Sequence, residues 1–233
     1  NSSLVNFNAP LLKLTTLNKS VFENCIKLAT LTIGKSTGIG PNAFINCLKL
    51  TSIDLSEATS IGSTAFQGCE SLVNIVDINS AISINYAAFL NCTSLTNITN
   101  MNSATSIGSS AFSQCYGLKN TITANLMKSI GDSAFYGCTG ITAYHFDTLI
   151  SIVGNNSFNK NSSLESFNAP LLRLTELNKG VFENCIKLTT LTIGKSTGIG
   201  SNAFINCLKL TSIDLSEATT IGSTAFQECE SLV

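Results

Sequence analysis

Nine cysteines, one histidine and recurrent pairs of acids are the side chains of this sequence with the widest chemical reach. Thiolates attack electrophiles or ligate soft metals, histidine moves protons near neutral pH, and paired carboxylates hold cations or share a proton. Spacing decides which of these is available. Structural zinc needs clustered ligands such as Cys-x-x-Cys, and the sequence contains none. His145 falls between Tyr144 and Phe146 on an expected outward strand position. With no cysteine, serine or acid motif framing it, it reads as a solvated surface histidine and not as a general base. Gly34-Lys35-Ser36-Thr37-Gly38 lacks the preceding glycine and four-residue spacer of a P-loop and reads as a turn. The acids Asp54 and Glu57 recur as Asp214 and Glu217, and recurrence at a fixed place in a repeat points to structure. The expectation is a protein that is not an enzyme and needs no cofactor or metal.

Composition narrows the class further. Of 233 residues, 44% are apolar and 12% charged, with a formal net charge of −1. That is enough apolar content for one sizeable core and too little positive charge for nucleic-acid binding. Mean hydropathy is +0.29, yet polar residues interrupt every apolar run well short of the roughly 18–20 residues that span a bilayer. The start, Asn1-Ser2-Ser3-Leu4, has no basic segment followed by an apolar one, so no signal peptide is expected there. The sequence starts and stops inside a repeat, so a fragment of a longer array is expected.

Those side chains are positioned by a repeat. Phenylalanine recurs at positions 22, 44, 66, 89, 112, 135, 158, 182, 204 and 226, with spacings of 22 to 24 residues. Such a period marks a solenoid of about ten coils over residues 1–233. Three residues after each Phe stands a cysteine, with Asn161 as the exception, and three further on a Leu or, once, Ile141. Over this lies a longer repeat: residues 1–73 and 161–233 align without gaps and differ at nine positions, which marks a duplication of about seven coils.

Each coil can be read physically. In Leu50-Thr51-Ser52-Ile53-Asp54-Leu55 the alternation at the end is that of a half-buried strand, and Ala58-Thr59-Ser60-Ile61 is a second short extended run. The residue four before each Phe is Gly in seven coils and Asn in three (Asn18, Asn85, Asn178); both types tolerate positive φ, so a left-handed corner is expected there. In Ser63-Thr64-Ala65-Phe66-Gln67-Gly68-Cys69, an N-cap followed by Phe and Cys at i, i+3 predicts one helical or 3₁₀ turn with both side chains inward. Stacked cysteines would sit about 4.8 Å apart. Disulfides want Cβ atoms near about 3.8 Å, so buried, reduced thiols are expected.

The unit Ile61-Gly62-Ser63-Thr64-Ala65-Phe66-Gln67-Gly68-Cys69-Glu70-Ser71-Leu72-Val73-Asn74-Ile75 resembles the repeat of BspA-like, or treponemal-type, leucine-rich-repeat proteins. The Ile-Gly-x-x-Ala-Phe-x-x-Cys-x-x-Leu signature covers essentially the whole chain. The frequent Ile-Pro after the first strand is absent, and coils at Thr121-Ile122, Tyr144 and Asn161 are irregular. The resemblance implies an α/β repeat solenoid, a right-handed leucine-rich-repeat superhelix with a parallel sheet and short helical turns. It also implies a cell-surface or secreted adhesion module that recognises host or neighbouring-cell proteins.

Small hydroxyl and amide groups dominate the outward strand positions. They cost little entropy to order and suit an extended partner laid across several coils. The central coils, which differ from the duplicated ends, give the candidate binding residues Asn74, Thr96, Asn97, Thr99, Asn120 and His145. The alternative is a stalk that holds another domain away from the cell. The Thr-x-Thr rows Thr30/Thr32 and Thr190/Thr192 have an ice-binding pattern, but it fails in the middle coils. In a secreted eukaryotic chain, the Asn-x-Ser/Thr sequons at Asn18, Asn91, Asn97, Asn155 and Asn161 would accept glycans.

Overall fold

A computed structural model describes all residues except 1, 12–13, 35, 99–100, 150–152 and 176–177, together with the side chain of Val76. Lys35 of the glycine-flanked turn and the candidate residue Thr99 therefore lie outside the described residues. Every pairing between strands is parallel. The chain coils so that equivalent residues of successive repeats stand in register.

Most coils contribute to two sheets. The wider comes from the alternating Leu-x-x-Ile-x-Leu segments. Asn6–Ala9 pairs with Thr30–Ile33, Ser52–Asp54 pairs with Asn74–Val76, and Asn120–Thr123, Ile141–His145, Ser166–Ala169 and Thr190–Ile193 form a four-stranded sheet. Burial follows the alternation: Ile53 is inside, with Ser52 and Asp54 outside. The narrower sheet is built from two-residue strands. Thr16–Leu17, Gly38–Ile39, Ser60–Ile61, Ser83–Ile84, Ser106–Ile107 and Ser129–Ile130 follow one another without a break.

The core lies between these sheets and the Phe-containing turns. All ten repeat phenylalanines form one stack, with neighbouring centroids 5.0 to 5.8 Å apart and planes within 20°. That spacing lies within the favourable range for offset aromatic pairs. No disulfide joins any of the nine cysteines. Each thiol from Cys47 onward donates instead to the carbonyl of the Phe one coil earlier, as Cys47 does to Phe22 O at 3.1 Å and Cys115 to Phe89 O at 3.2 Å. Burial pushes the Cys115 thiol up to about 12 and those of Cys92 and Cys138 well above their ordinary value.

The expected helical turn is not there. Among the described residues there is no helix, so the chain is an all-β solenoid where an α/β one was expected. Around each Phe the backbone makes overlapping turns closed by i to i+3 bonds, for example Ala43 N to Gly40 O, Ile45 N to Asn42 O and Cys47 N to Phe44 O. The residues two before and two after each Phe have positive φ in all ten coils, between 50° and 73°. A helix is impossible with a left-handed residue on either side of its centre, whereas a type II turn requires one at its third position. This conformation leaves three N–H groups per coil, two before, at and two after the Phe, pointing at the next coil. In the second coil, Asn42, Phe44 and Asn46 donate to the carbonyls of Ser63, Ala65 and Gln67 at 2.7 to 3.0 Å.

The left-handed positions are therefore not the glycines four before Phe. Those glycines have ordinary φ, and what they avoid is contact. A Cβ on Gly40 would lie 2.6 Å from Leu17 O, and one on Gly154 2.2 Å from Asp132 N. At Asn85 and Asn178 the side-chain amide donates to the carbonyl of the preceding coil, Ile61 O at 2.8 Å and Val153 O respectively.

Candidate binding surface

The proposed site residues fall on or beside the wider sheet. Asn74 and Asn97 are adjacent, joined by an isolated parallel bridge, and both are exposed. Asn120 is exposed at a register shift where Asn120–Thr123 meets Ile141–His145. Its φ is +68°, a conformation asparagine tolerates better than most residues. Among the described residues the side-chain amides of these three asparagines are left to solvent. Thr96 is different: its hydroxyl donates to Val73 O at 3.2 Å. Thr37, Thr59 and Thr189 likewise donate to carbonyls of the preceding coil. These four hydroxyls stitch coil to coil, whereas the amides of Asn74, Asn97 and Asn120 stay available as donors and acceptors.

His145 is not unframed. Its Nε2 lies 2.8 Å from Asp147 Oδ1, and Nδ1 lies 2.9 Å from Asn168 Nδ2 on the neighbouring strand. His145 and Asp147 are two apart, the spacing that places side chains on one side of an extended segment, so the pairing was available in the sequence. Among the described residues, no serine or cysteine bonds this pair. His145 stands apart from Asn74, whose strand belongs to a different sheet segment, and from Asn97, which is bridged to Asn74.

Two irregular residues turn out to be one feature. Tyr144 replaces the aliphatic residue of its column, where it stands between Ile122 and Phe167. Its ring packs against Phe135 and Phe158 at 5.1 and 4.8 Å. A buried phenol needs a partner, and its hydroxyl donates to Asn161 Oδ1 at 2.8 Å. The Asn161 amide nitrogen meanwhile donates to Phe135 O at 2.8 Å, the bond a cysteine makes elsewhere. Asn161 is fully buried, so its sequon cannot carry a glycan in the folded chain. Asn18 and Asn97 are exposed, and Asn91 and Asn155 half-buried.

The repeated acids are structural. Asp54 and Asp214 accept the N–H two residues on, from Ser56 and Ser216 at 2.9 and 2.8 Å, and Glu217 meets Arg173 and Lys195 at 3.6 Å on the surface. A shallow groove of about 240 Å³ runs beside the narrower sheet over Asn85, Ser106, Gly108, Ser129 and Gly131. No titratable side chain lines it, so it offers no proton transfer. Among the described residues, no group of three metal-ligating side chains occurs and no helix is long and apolar enough to cross a membrane.

In-register parallel sheets, a ladder of inward leucines and one turn motif per coil define a leucine-rich-repeat solenoid. The chain belongs to the BspA-type leucine-rich-repeat family, whose model matches residues 1–119 and 105–233. Its fold is similar to that of a leucine-rich cell surface protein from Faecalibacterium prausnitzii, at 24% identity and a TM-score of 0.55, covering 100% of this chain and 72% of that one. It is also similar to a leucine-rich repeat protein from Bacteroides ovatus, at 22% identity and a TM-score of 0.54, covering 98% and 76%. A third likeness is to a leucine-rich repeat protein from Eubacterium ventriosum, at 19% identity and a TM-score of 0.53, covering 92% and 80%. No curated protein matches the chain.

Proposed function

We propose that this chain is a cell-surface or secreted binding module that recognises a host or neighbouring-cell protein through the outer face of its wider sheet. The observation that carries the reading is the juxtaposition of Asn74 and Asn97, exposed amides that, unlike the neighbouring Thr96 hydroxyl, are not used in holding coils together. Asn120 and His145, with its Asp147 and Asn168 contacts, extend this surface into later coils, and Thr99 completes the proposed set. Affinity would be a sum of modest terms, since each hydrogen bond contributes only about 0.5–1.5 kcal/mol net.

The test is a triple variant, Asn74→Arg, Asn97→Glu and Asn120→Asp. The first two place opposite charges side by side, and the third respects the left-handed backbone. Binding to a panel of immobilised matrix and cell-surface proteins should weaken while the melting temperature stays nearly unchanged. Unaltered binding by the triple variant would move the interface to another face. The stalk reading draws on the unbroken phenylalanine stack, which makes a continuous spacer, and it takes over if the intact chain binds nothing in the panel.

A further inference from the structure

The turns around Phe158 and Phe182 meet differently from the others. Where an asparagine stands two before Phe and a threonine takes that place one coil later, the hydroxyl donates to the amide oxygen, as Thr64 does to Asn42 and Thr224 to Asn202. Asn156 is followed instead by Gly180, at φ +57°. A Cβ on Gly180 would overlap Asn156 Oδ1 and lie 3.0 Å from Glu183 Oε2, so both oxygens face the space that this glycine leaves open. The position is one of the nine at which the duplicated blocks differ, with Ser20 in the first. A third oxygen stands beside them. Asn159 Nδ2 donates to Asn156 Oδ1 at 3.1 Å, which sets Asn159 Oδ1 one amide width from that contact. Asn159 is 6% exposed, and its buried Oδ1 has no hydrogen-bond partner. Leaving a buried acceptor without a donor is costly. Glu183 receives Asn184 Nδ2 at 3.4 Å on Oε1, and among the described residues no donor meets its Oε2. Lys160 keeps its ammonium over the Tyr136 ring, 5.2 Å from the centroid, and among the described residues it makes no ion pair with Glu183.

We propose that Asn156 Oδ1, Asn159 Oδ1 and Glu183 Oε2 are ligands of a calcium ion seated over Gly180. The donor set selects the ion. Three acceptors, one of them a carboxylate, converge with a single amide N–H among them, and a water has only two protons to offer and no charge to set against Glu183. Oxygen ligands suit a hard cation, whereas thiolate and imidazole hold the softer metals. Among the described residues no three His, Cys, Asp or Glu side chains converge, so amide oxygens here stand where further carboxylates would. Asn156 and Glu183 are half-buried, which leaves one side of the site open to water. That arrangement matches the flexible shell of six to eight oxygens around calcium and not the strict octahedron of magnesium. With one carboxylate, the dissociation constant should be about 10⁻⁴–10⁻³ M, as in extracellular modules. The ion would clamp the central segment, through Asn156 and Asn159, to the second copy of the duplicated block, through Glu183.

Chelator-treated intact chain is titrated with calcium chloride and, separately, with magnesium chloride, following binding heat and melting temperature. Calcium should bind in the stated range and raise the melting temperature, with magnesium far weaker. Gly180→Thr rebuilds the Asn42 and Thr64 pairing, which the fold already holds at the same left-handed position. It should fold, fill the space and tie up Asn156 Oδ1, so calcium affinity should fall roughly tenfold or more. Glu183→Gln, at a half-buried site, keeps an oxygen and removes the charge, and should lose affinity to a similar degree. The Asn74, Asn97 and Asn120 variant should bind calcium as the parent does. The proposal is overturned if calcium does not bind at millimolar concentration, if magnesium binds as tightly, or if either Gly180→Thr or Glu183→Gln binds calcium unchanged.

Discussion

Residues 1–73 and 161–233 carry nearly one sequence in two settings, and their interiors are not the same. Phe167 and Leu164 are fully buried while Phe7 and Leu4, their counterparts, are only partly so. At the other end of the block the order reverses: Ile61 is 0% exposed and Ile221 57%, and Cys69 is buried where Cys229 is half-buried. Each copy is tight where a coil of the central segment covers it. Ile61 is paired with Ile84 of the following coil, and Phe167 with Tyr144 of the preceding one. Burial in this molecule therefore belongs to the junction between coils more than to the repeat itself, as the nearest-neighbour account of solenoids requires. The substitutions between the copies agree. Of the nine, the eight in described residues of the first copy (positions 5, 6, 16, 20, 29, 41, 60 and 68) all fall on exposed or half-buried sites.

The largest expected effect tests whether matched junctions give matched energies. Phe44, Phe112 and Phe204 lie in the first copy, the centre and the second copy, each fully buried and stacked on both sides. Each changed to alanine should cost about 3–5 kcal/mol in denaturant unfolding. Unequal costs, or any below about 1 kcal/mol, would mean that position along the stack matters independently of neighbours. A smaller effect separates unmatched junctions. Ile61→Ala should cost about 2–5 kcal/mol and Ile221→Ala, with more than half of its surface already in water, well under 1 kcal/mol on the scale of surface changes. Equal losses would break the comparison.

The smallest expected perturbation is chemical and leaves the fold intact. At neutral pH a thiol reagent should modify Cys229 first and the eight buried thiols only in denaturant, where nine react; comparable native-state rates at Cys69 and Cys229 would contradict the difference in cover. Titration adds a sign. Burial holds the Cys115 proton up to about 12, while an unfolded cysteine releases it near pH ~8.5. The unfolded state therefore binds fewer protons above that pH. Stability should be flat below it and fall as pH rises toward about 12, by at most about 1.4 kcal/mol per pH unit for each such thiol.

Phenylalanine spacing made the coils, the inward thiols and the register readable in the sequence, because a strict period leaves side chains no other place. Backbone conformation was less legible. Glycine four before Phe excludes a Cβ, but sequence does not distinguish a left-handed residue from a close approach, and the approach is what the structure has. The true left-handed position two after Phe did carry a signal, with asparagine at 24, 46, 91, 184 and 206 and glycine at 68 and 137. Of the binding candidates, exposure of Asn74, Asn97 and Asn120 followed from strand alternation. The use of Thr96 in coil stitching did not, since its partner lies 23 residues away. The Tyr144 and Asn161 pairing is likewise a product of stacking, as each residue alone is merely a departure from pattern.

The three N–H groups that each turn directs at its successor are oriented alike at every junction from Phe22 to Phe204. Their peptide dipoles add along the axis instead of cancelling as neighbouring strands do. The column beside the phenylalanines is thus an electret: each coil presents partial positive charge to the coil after it and partial negative charge to the coil before. Its polarity along the chain is opposite to that of an α-helix, whose positive end is its beginning. Bonds on the narrower-sheet side, such as Gly40 N to Leu17 O and Gly62 N to Ile39 O, run the opposite way, so this direction belongs to the turn column alone.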